Sequence, residues 1–189
     1  MLNFYKSIEI LVSLQSLVIT SMLPVFIPLP FIYNSSNNLD LPITWQIPTI
    51  ILLTLIFHKE VVFKAISIYI ILGLFIFPIF DQGGSIGYLL TPNFGYLLGL
   101  YPLINIIDKL NTKNKINLGN FLKNGFIAIG AMHLTGIFYN FMQIIFYSQF
   151  NLFLYNLGKY SFGKIGYHFL MLFPLLFLIK PIELLKRSK

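Results

Sequence analysis

Side chains capable of catalysis are few in this sequence and lie far apart along the chain. The histidines are His58, His133 and His168, the six acids are scattered, and there is no cysteine. Acid–base or nucleophilic catalysis requires two or three such groups within hydrogen-bond reach. Neither an HExxH motif nor a pair of neighbouring carboxylates occurs. We therefore expect no enzyme, no catalytic residue, no metal site and no cofactor.

A binding site needs less, namely an apolar cavity with a few converging donors and acceptors. The stretch FPIFDQGGSIGYLLTPNFGYLLG, residues 77–99, holds five glycines, two prolines and one acid between apolar runs. Glycine and proline interrupt regular structure, and freed backbone groups need new partners, so this stretch is interpreted as the wall of a pocket. The candidate binding residues are Trp45, Gln46, Asp81, Gln82, Gly83, Gly84, Tyr88 and Tyr96.

The aromatic candidates and His133 each have an alternative interpretation. The tryptophan and the tyrosines are equally compatible with an aromatic belt at the outer headgroups of a membrane. His133, inside the apolar segment GAMHLTG, is interpreted as a neutral histidine bonded to a neighbouring helix, with ligand contact as the alternative.

The composition indicates an integral membrane protein. Of the 189 residues, 57% are hydrophobic and 10% are charged, whereas a soluble domain averages roughly 25% charged residues. The net charge of +7 comes without a basic cluster among exposed aromatic residues. The lysines are therefore expected to flank membrane spans and not to bind nucleic acid. The N-terminal apolar run exceeds the roughly 7–15 residues of a signal-peptide core, so we interpret it as a retained first span.

Charge-free apolar runs predict six helical spans, each needing about 17–25 residues to cross a bilayer. The expected fold is an all-α integral membrane protein with one membrane domain over residues 1–189. The prolines at positions 24, 28 and 30 should loosen the far end of the first span. The predicted spans are residues 10–33, 41–57, 61–80, 88–107, 122–147 and 165–179.

The basic residues predict the orientation of these spans. Eleven of the 13 lysines and arginines fall at the two termini and in the even-numbered connections, and only Lys159 and Lys164 fall on the other side. The positive-inside rule therefore places both termini in the cytoplasm and residues 81–94 outside. Lys164 and Lys180, which flank the last span, are expected to extend to the membrane interfaces.

An ordered set of motifs over roughly residues 41–102 resembles the BioY family, the biotin-binding S components of energy-coupling factor (ECF) transporters. The sequences of these motifs, including TWQIP, are most similar to those of the cyanobacterial branch. The positions that carry the resemblance are Pro42, Thr44 and Gln46, then Tyr69, Gly73, Pro78 and Phe80, then Gly83 and Gly84, and finally Pro92, Gly95, Tyr96 and Leu97.

The resemblance implies a multi-pass protein of the plasma membrane that captures biotin from outside. It also implies partners, a transmembrane coupling protein and two ATPases, and this sequence has no GxxxxGK[ST] phosphate loop of its own. Asp81, Gln82 and Gln46 would then bind the ureido group, and Trp45 and Tyr88 the ring. The small residues Ser16 and Thr20 are candidates for a close helix contact with a partner.

The sequence departs from the family pattern at the last span. Many members carry Pro-Gly-Asp-x-x-Lys there, whereas residues 165–168 read Ile-Gly-Tyr-His. Tyr167 and His168 are therefore candidate replacement contacts. Pro92-Asn93-Phe94 similarly replaces Pro-Thr-Gly. Two alternatives follow, an S component for another vitamin and a membrane assembly subunit that binds no solute.

Overall fold

A computed structural model describes residues 2–28, 38–81, 83–110, 116–147 and 150–187. The chain is mostly helical, with one two-stranded sheet. The elements are α1 (Leu2–Met22), β1 (Pro24–Pro28), β2 (Asn38–Thr44), α2 (Gln46–Ile56), α3 (Lys59–Phe75), a 3₁₀ helix (Ile86–Leu90), α4 (Pro92–Leu98), α5 (Leu100–Asp108), α6 (Leu118–Tyr147), α7 (Phe150–Asn156), a π-helical segment (Leu157–Phe162), α8 (Gly163–Leu170) and α9 (Leu172–Arg187).

The sheet corrects the expectation that every element is helical. We expected helix through the first predicted span, but α1 ends at Met22 and the chain continues as β1, antiparallel to β2. Pro24 and Pro28 explain the change, because proline lacks the N–H of a helical hydrogen bond and clashes with the preceding turn. The start of the second predicted span is likewise strand, and α2 begins only at Gln46. Residues 29–37 lie outside the described part of the chain.

Side chains of the neighbouring helices satisfy the backbone of the glycine-rich stretch after α3. The Tyr69 and Ser21 hydroxyls both donate to the Ile79 carbonyl at 3.1 Å. Tyr139 of α6 donates to the Leu89 carbonyl, and Gln143 donates to the Leu90 carbonyl at 3.0 Å. Non-helical backbone is stable among apolar helices only when its polar groups find such partners. These bonds hold the stretch in place beside the cavity described below.

Close packing of α4 against α6 is made possible by glycines facing tyrosines. A Cβ added at Gly136 of α6 would meet the Tyr96 ring, and one added at Gly95 of α4 would meet Tyr139. Small residues let helices approach until a large side chain of each lies on the backbone of the other. This reciprocal contact fixes the Tyr96 ring.

Apolar side chains also cover part of the outside of the molecule. Among the described residues, one helix is long and apolar enough to cross a membrane, Leu118–Ile145 within α6. The stretches Phe150–Leu170 and Leu172–Leu184, bent by 42° relative to each other, would together form a second. On α6, Ile127, Leu134 and Phe138 are all exposed. Contiguous apolar surface of this kind is rare on soluble monomers and is typical of contact with lipid or another protein.

Ion pairs lie at one end of the helices. Lys6 of α1 pairs with Glu60 of α3 at 2.9 Å, and Lys59 pairs with Asp108 of α5 at 3.8 Å. Helix α2 separates this end from the glycine-rich stretch, since its 11 residues span roughly 16 Å at 1.5 Å per residue. One end of the molecule therefore carries the two ion pairs, and the irregular segments meet at the opposite end.

Candidate binding site

A cavity of about 330 Å³ lies at the end opposite the ion pairs. Small-molecule sites typically occupy roughly 300–1,000 Å³ and combine apolar walls with a few polar groups. Strand β2, the start of α2, the glycine-rich stretch, α4 to α6, the π-helical segment and α8 all contribute. The lining residues are Pro24, Leu41, Pro42, Ile43, Thr44, Gln46, Ile47, Asp81, Tyr88, Asn93, Tyr96, Leu97, Leu100, Met132, Tyr160, Lys164 and His168.

Three polar groups of different character line this cavity. Gln46, in the first turn of α2, has a buried Nε2 without a hydrogen-bond partner in the described part of the chain. Asp81 contributes a carboxylate and Lys164 an ammonium, and the two charges attract each other electrostatically. Within the described residues no ion pair joins them. The cavity is thus lined by an amide side chain, an anion and a cation.

Aromatic rings form much of the remaining wall. Tyr88 is 7% exposed, and its ring packs on Phe80 with centroids 4.4 Å apart. Phe80 in turn meets Tyr69 edge to face at 5.3 Å. Tyr160 comes from the π-helical segment, and the Lys164 Nζ lies 5.5 Å from its ring centroid. Rings fixed in this way provide rigid apolar surface for a cyclic ligand.

Two histidines form a buried pair at one side of the cavity. The His133 Nε2 and the His168 Nδ1 lie 2.9 Å apart, and the two side chains are 1% and 7% exposed. The expectation that His133 bonds to a neighbouring helix agrees with this contact, since His168 lies on α8 and His133 on α6. Tyr96 packs edge to face against His133, and its hydroxyl lies 2.6 Å from that of Ser161.

A tight turn positions Asp81. The Phe80 and Gly83 backbones exchange two hydrogen bonds of 2.9 Å, and Gly83 has φ of 101°. Side chains other than glycine rarely adopt that backbone conformation. At Gly84, an added Cβ would meet the Gly73 carbonyl oxygen and would lie 2.8 Å from the Pro78 Cα. Gly84 therefore lets the stretch pack against the end of α3.

Gly84→Ala should destabilise the protein, because the atoms that its Cβ meets belong to the backbone and cannot rotate away. Overpacking typically costs about 1–3 kcal/mol, which lowers the melting temperature of a chain this size by roughly 2–12 °C. Thermal unfolding of the purified protein measures the shift. Gly130→Ala is the matched control, since its Cβ meets no atom within 4 Å. A melting temperature unchanged in Gly84→Ala, with ligand binding lost, would instead assign Gly84 to ligand contact.

The structure brings together some of the candidate residues and not others. Gln46, Asp81, Tyr88, Tyr96 and His168 line the cavity, whereas Trp45, Gly83, Gly84 and Tyr167 do not. Gln82 lies outside the described residues. Ser16 and Thr20 bond to backbone carbonyls of their own helix at 2.8 and 2.7 Å. Their contact with a partner stays a prediction.

Sequence reasoning missed several lining residues, of which Lys164 is the most consequential. Lys164 was expected at a membrane interface, but it lines the cavity. A signal was present, because Lys164 and the candidate His168 are four residues apart and so share one face of a helix. Asn93 and Tyr160 gave no comparable signal, since neither the approach of α4 nor the π-helical segment can be read from the local sequence.

A second cavity, of about 340 Å³, lies between the 3₁₀ helix, α6 and α7. Leu90, Ile144 and Phe153 form much of its wall, and the buried Asn140 Oδ1 has no hydrogen-bond partner in the described residues. No charged side chain lines it. Among all the residues that the structure describes, no three histidine, aspartate or glutamate side chains come close enough together to hold a metal ion.

Comparison with known proteins identifies the family. The family model described as the BioY family matches residues 5–171. The "Probable biotin transporter BioY" of Lysinibacillus sphaericus is 38% identical over 73 residues, which are 39% of this chain and 33% of that protein. The match thus spans about a third of the length of this curated relative.

A solved structure shares the fold over nearly the whole chain. The crystal structure of the S-component for biotin from an ECF-type ABC transporter superposes with a TM-score of 0.61. The superposition covers 98% of this chain and 92% of the other at 14% identity. This likeness supports the fold, and the family model covers far more than half of the sequence. The chain belongs to the BioY family.

Proposed function

We propose that this protein takes up biotin across the plasma membrane as the substrate-binding S component of an ECF-type transporter. The observation that carries the proposal is that an amide, a carboxylate and an ammonium, those of Gln46, Asp81 and Lys164, line the first cavity together. These groups are suited in kind to the ureido group and the carboxylate of biotin. Membership of the BioY family and the shared fold of a biotin S-component support the same ligand.

Each end of biotin has a counterpart in the cavity. The ureido ring has two N–H groups, one of which donates to Asp81, and one carbonyl, which accepts from the Gln46 amide. The carboxylate at the end of the valeryl chain binds to Lys164, and the apolar ring and chain pack on Tyr88 and Tyr160. Hydrogen bonds that involve a charged partner are about twice as strong as neutral ones. Asp81 and Lys164 therefore contribute most of the preference of the cavity for biotin over other ligands.

In this proposal the protein crosses the membrane six times, with both termini in the cytoplasm. The end that carries the ion pairs of Lys6 and Lys59 faces the cytoplasm, as the positive-inside rule requires. The cavity at the opposite end then opens to the outside, where the vitamin is found. A transmembrane coupling protein and two ATPases supply the energy for transport, and the protein itself carries out no catalysis.

Uptake of labelled biotin tests the function. Cells that lack their own biotin transporter should accumulate biotin when they express this protein with a coupling protein and ATPases of an ECF module. Cells that express the Gln46→Met variant with the same partners should accumulate less, because the variant lacks the amide donor. Equal uptake by cells with and without the protein would refute the proposal.

Cysteine labelling tests the orientation, and the absence of native cysteines makes single substitutions clean probes. Ser85 follows the turn of Asp81, and Asn117 precedes α6 at the other end, and both are exposed. Ser85→Cys should react with a membrane-impermeant thiol reagent in intact cells. Asn117→Cys should react only after the cells are permeabilised. The reverse pattern would turn the cavity toward the cytoplasm and contradict uptake from outside.

A further inference from the structure

The buried histidine pair links the wall of the first cavity to the interior of α6. The His133 Nε2 and His168 Nδ1 are 2.9 Å apart, which is the usual length of a hydrogen bond between nitrogen atoms. The ring of Tyr96 packs edge to face on His133 at 5.5 Å, and the two imidazole centroids are 5.2 Å apart. Tyr96 thus holds the His133 ring, and in this arrangement each histidine faces its partner with one particular nitrogen.

The bond between the two rings admits two arrangements of hydrogen atoms. A neutral imidazole has one N–H donor and one acceptor nitrogen. In the first arrangement, the His133 Nε2–H donates to the His168 Nδ1, and His168 carries its own hydrogen on Nε2. In the second, the His168 Nδ1–H donates to the His133 Nε2, and His133 carries its hydrogen on Nδ1. A doubly protonated ring would place another cation in a buried site close to Lys164, so the pair is neutral.

The surroundings of the His133 Nδ1 decide between the two. This atom is buried and has no hydrogen-bond partner in the described part of the chain. The second arrangement would make it a buried N–H without an acceptor. The first leaves only an unused lone pair there, and buried donors without partners are rarer in proteins than under-used acceptors. The first arrangement is therefore favoured.

The consequence reaches the ligand site through His168. His168 and Lys164 both line the cavity and are four residues apart on α8, so they present their polar atoms on one helix face. Since the His168 Nδ1 accepts from His133, its remaining nitrogen, Nε2, is the one available to a ligand. We infer that His133 fixes His168 in the tautomer that donates its Nε2–H into the cavity, beside Lys164, toward the anionic group of the ligand.

This inference rests on the proposed function for the identity of that anion, the carboxylate of biotin. His133 is then a positioning residue, because it acts on the ligand only through His168. An ammonium and a neutral N–H donor together bind both oxygens of a carboxylate, whereas the ammonium alone is a point charge without directional preference.

Nitrogen NMR of the purified, ligand-free protein with ¹⁵N-labelled histidine tests the tautomer directly. The chain has three histidines, and the exposed His58 is assigned by its loss in His58→Gln. We expect both His133 and His168 to carry hydrogen on Nε2 and none on Nδ1. A hydrogen on Nδ1 of either residue would overturn the inference. Because no ligand is needed, this result is independent of whether the protein binds biotin.

Binding to matched variants tests the consequence. His133→Gln keeps an amide N–H that can donate to the His168 Nδ1, whereas His133→Leu removes the donor. We expect His133→Leu to weaken biotin binding about 10-fold and His133→Gln to stay within about 3-fold of the parent, near the net value of one hydrogen bond. His58→Gln is the control and should bind like the parent.

The outcomes separate the inference from the proposed function. Equal loss in His133→Leu and His133→Gln would show that His133 acts only in packing, and would overturn the inference even if biotin binds the parent tightly. Absence of biotin binding to the parent would refute the proposed function alone, since the NMR result on the ligand-free protein would still decide the tautomer.

Discussion

Lys164→Met should weaken biotin binding by roughly 10- to 150-fold, because a hydrogen bond to a charged group contributes about 1.5–3 kcal/mol. Lys164 lines the cavity, and its ammonium is the proposed partner of the biotin carboxylate. Methionine retains much of the apolar stem of lysine, so the variant removes the charge with little change in packing. Calorimetric titration of the purified variant measures the loss.

The effect should depend on the charge of the ligand. Biotin amide lacks the carboxylate, so the parent and Lys164→Met should bind it with nearly the same affinity. Lys180→Met is the matched control, since Lys180 is exposed on α9 and does not line the cavity. If Lys164→Met weakens biotin and biotin amide equally, Lys164 acts through the shape of the site and not through its charge.

Asp81→Ala should produce a loss of similar size. The carboxylate lines the cavity beside Tyr88 and is the proposed acceptor of one ureido N–H group. Its removal leaves that donor without a charged acceptor, and we expect binding to weaken by roughly 10- to 150-fold. Asp81→Asn keeps an acceptor oxygen and should lose less. Calorimetry of both variants in nanodiscs gives the comparison.

The control for the Asp81 variants removes a different negative charge from the same side of the protein. Asp40 is exposed on β2 and does not line the cavity, so Asp40→Asn should bind biotin like the parent. Parent-like affinity in both Asp81→Ala and Asp81→Asn would place Asp81 in solvent. Equal losses in Asp40→Asn and Asp81→Asn would indicate a general effect of charge.

The sequence was most informative where residue type alone dictates backbone geometry. The glycines and prolines of residues 77–99 predicted an interruption, and the structure has there a tight turn with Gly83 at positive φ. Gln46, Asp81 and Tyr88 were predicted as binding residues because they place polar groups between apolar runs. All three line the cavity. Such reasoning uses local rules that hold whatever the chain packs against.

Features that depend on distant parts of the chain were not accessible in the same way. Lys164 and Asp81 line one cavity although 83 positions separate them. The spacing of Lys164 and His168 indicates a shared helix face but not what that face contacts. His133 and His168 are 35 positions apart. Strand β1 was expected to be helix because its apolar residues continue those of α1, and the pairing with β2 that stabilises a strand is not local. Tertiary packing decided each of these cases.

One biotin molecule per chain should bind in the cavity lined by Gln46, Asp81 and Lys164. Calorimetric titration of biotin into the purified protein, in parallel with Gln46→Met, tests it most directly. The Gln46 amide is the proposed donor to the ureido carbonyl, so we expect one biotin per chain and clearly weaker binding to Gln46→Met. No binding of biotin to the parent, or equal affinity in the two proteins, would contradict it.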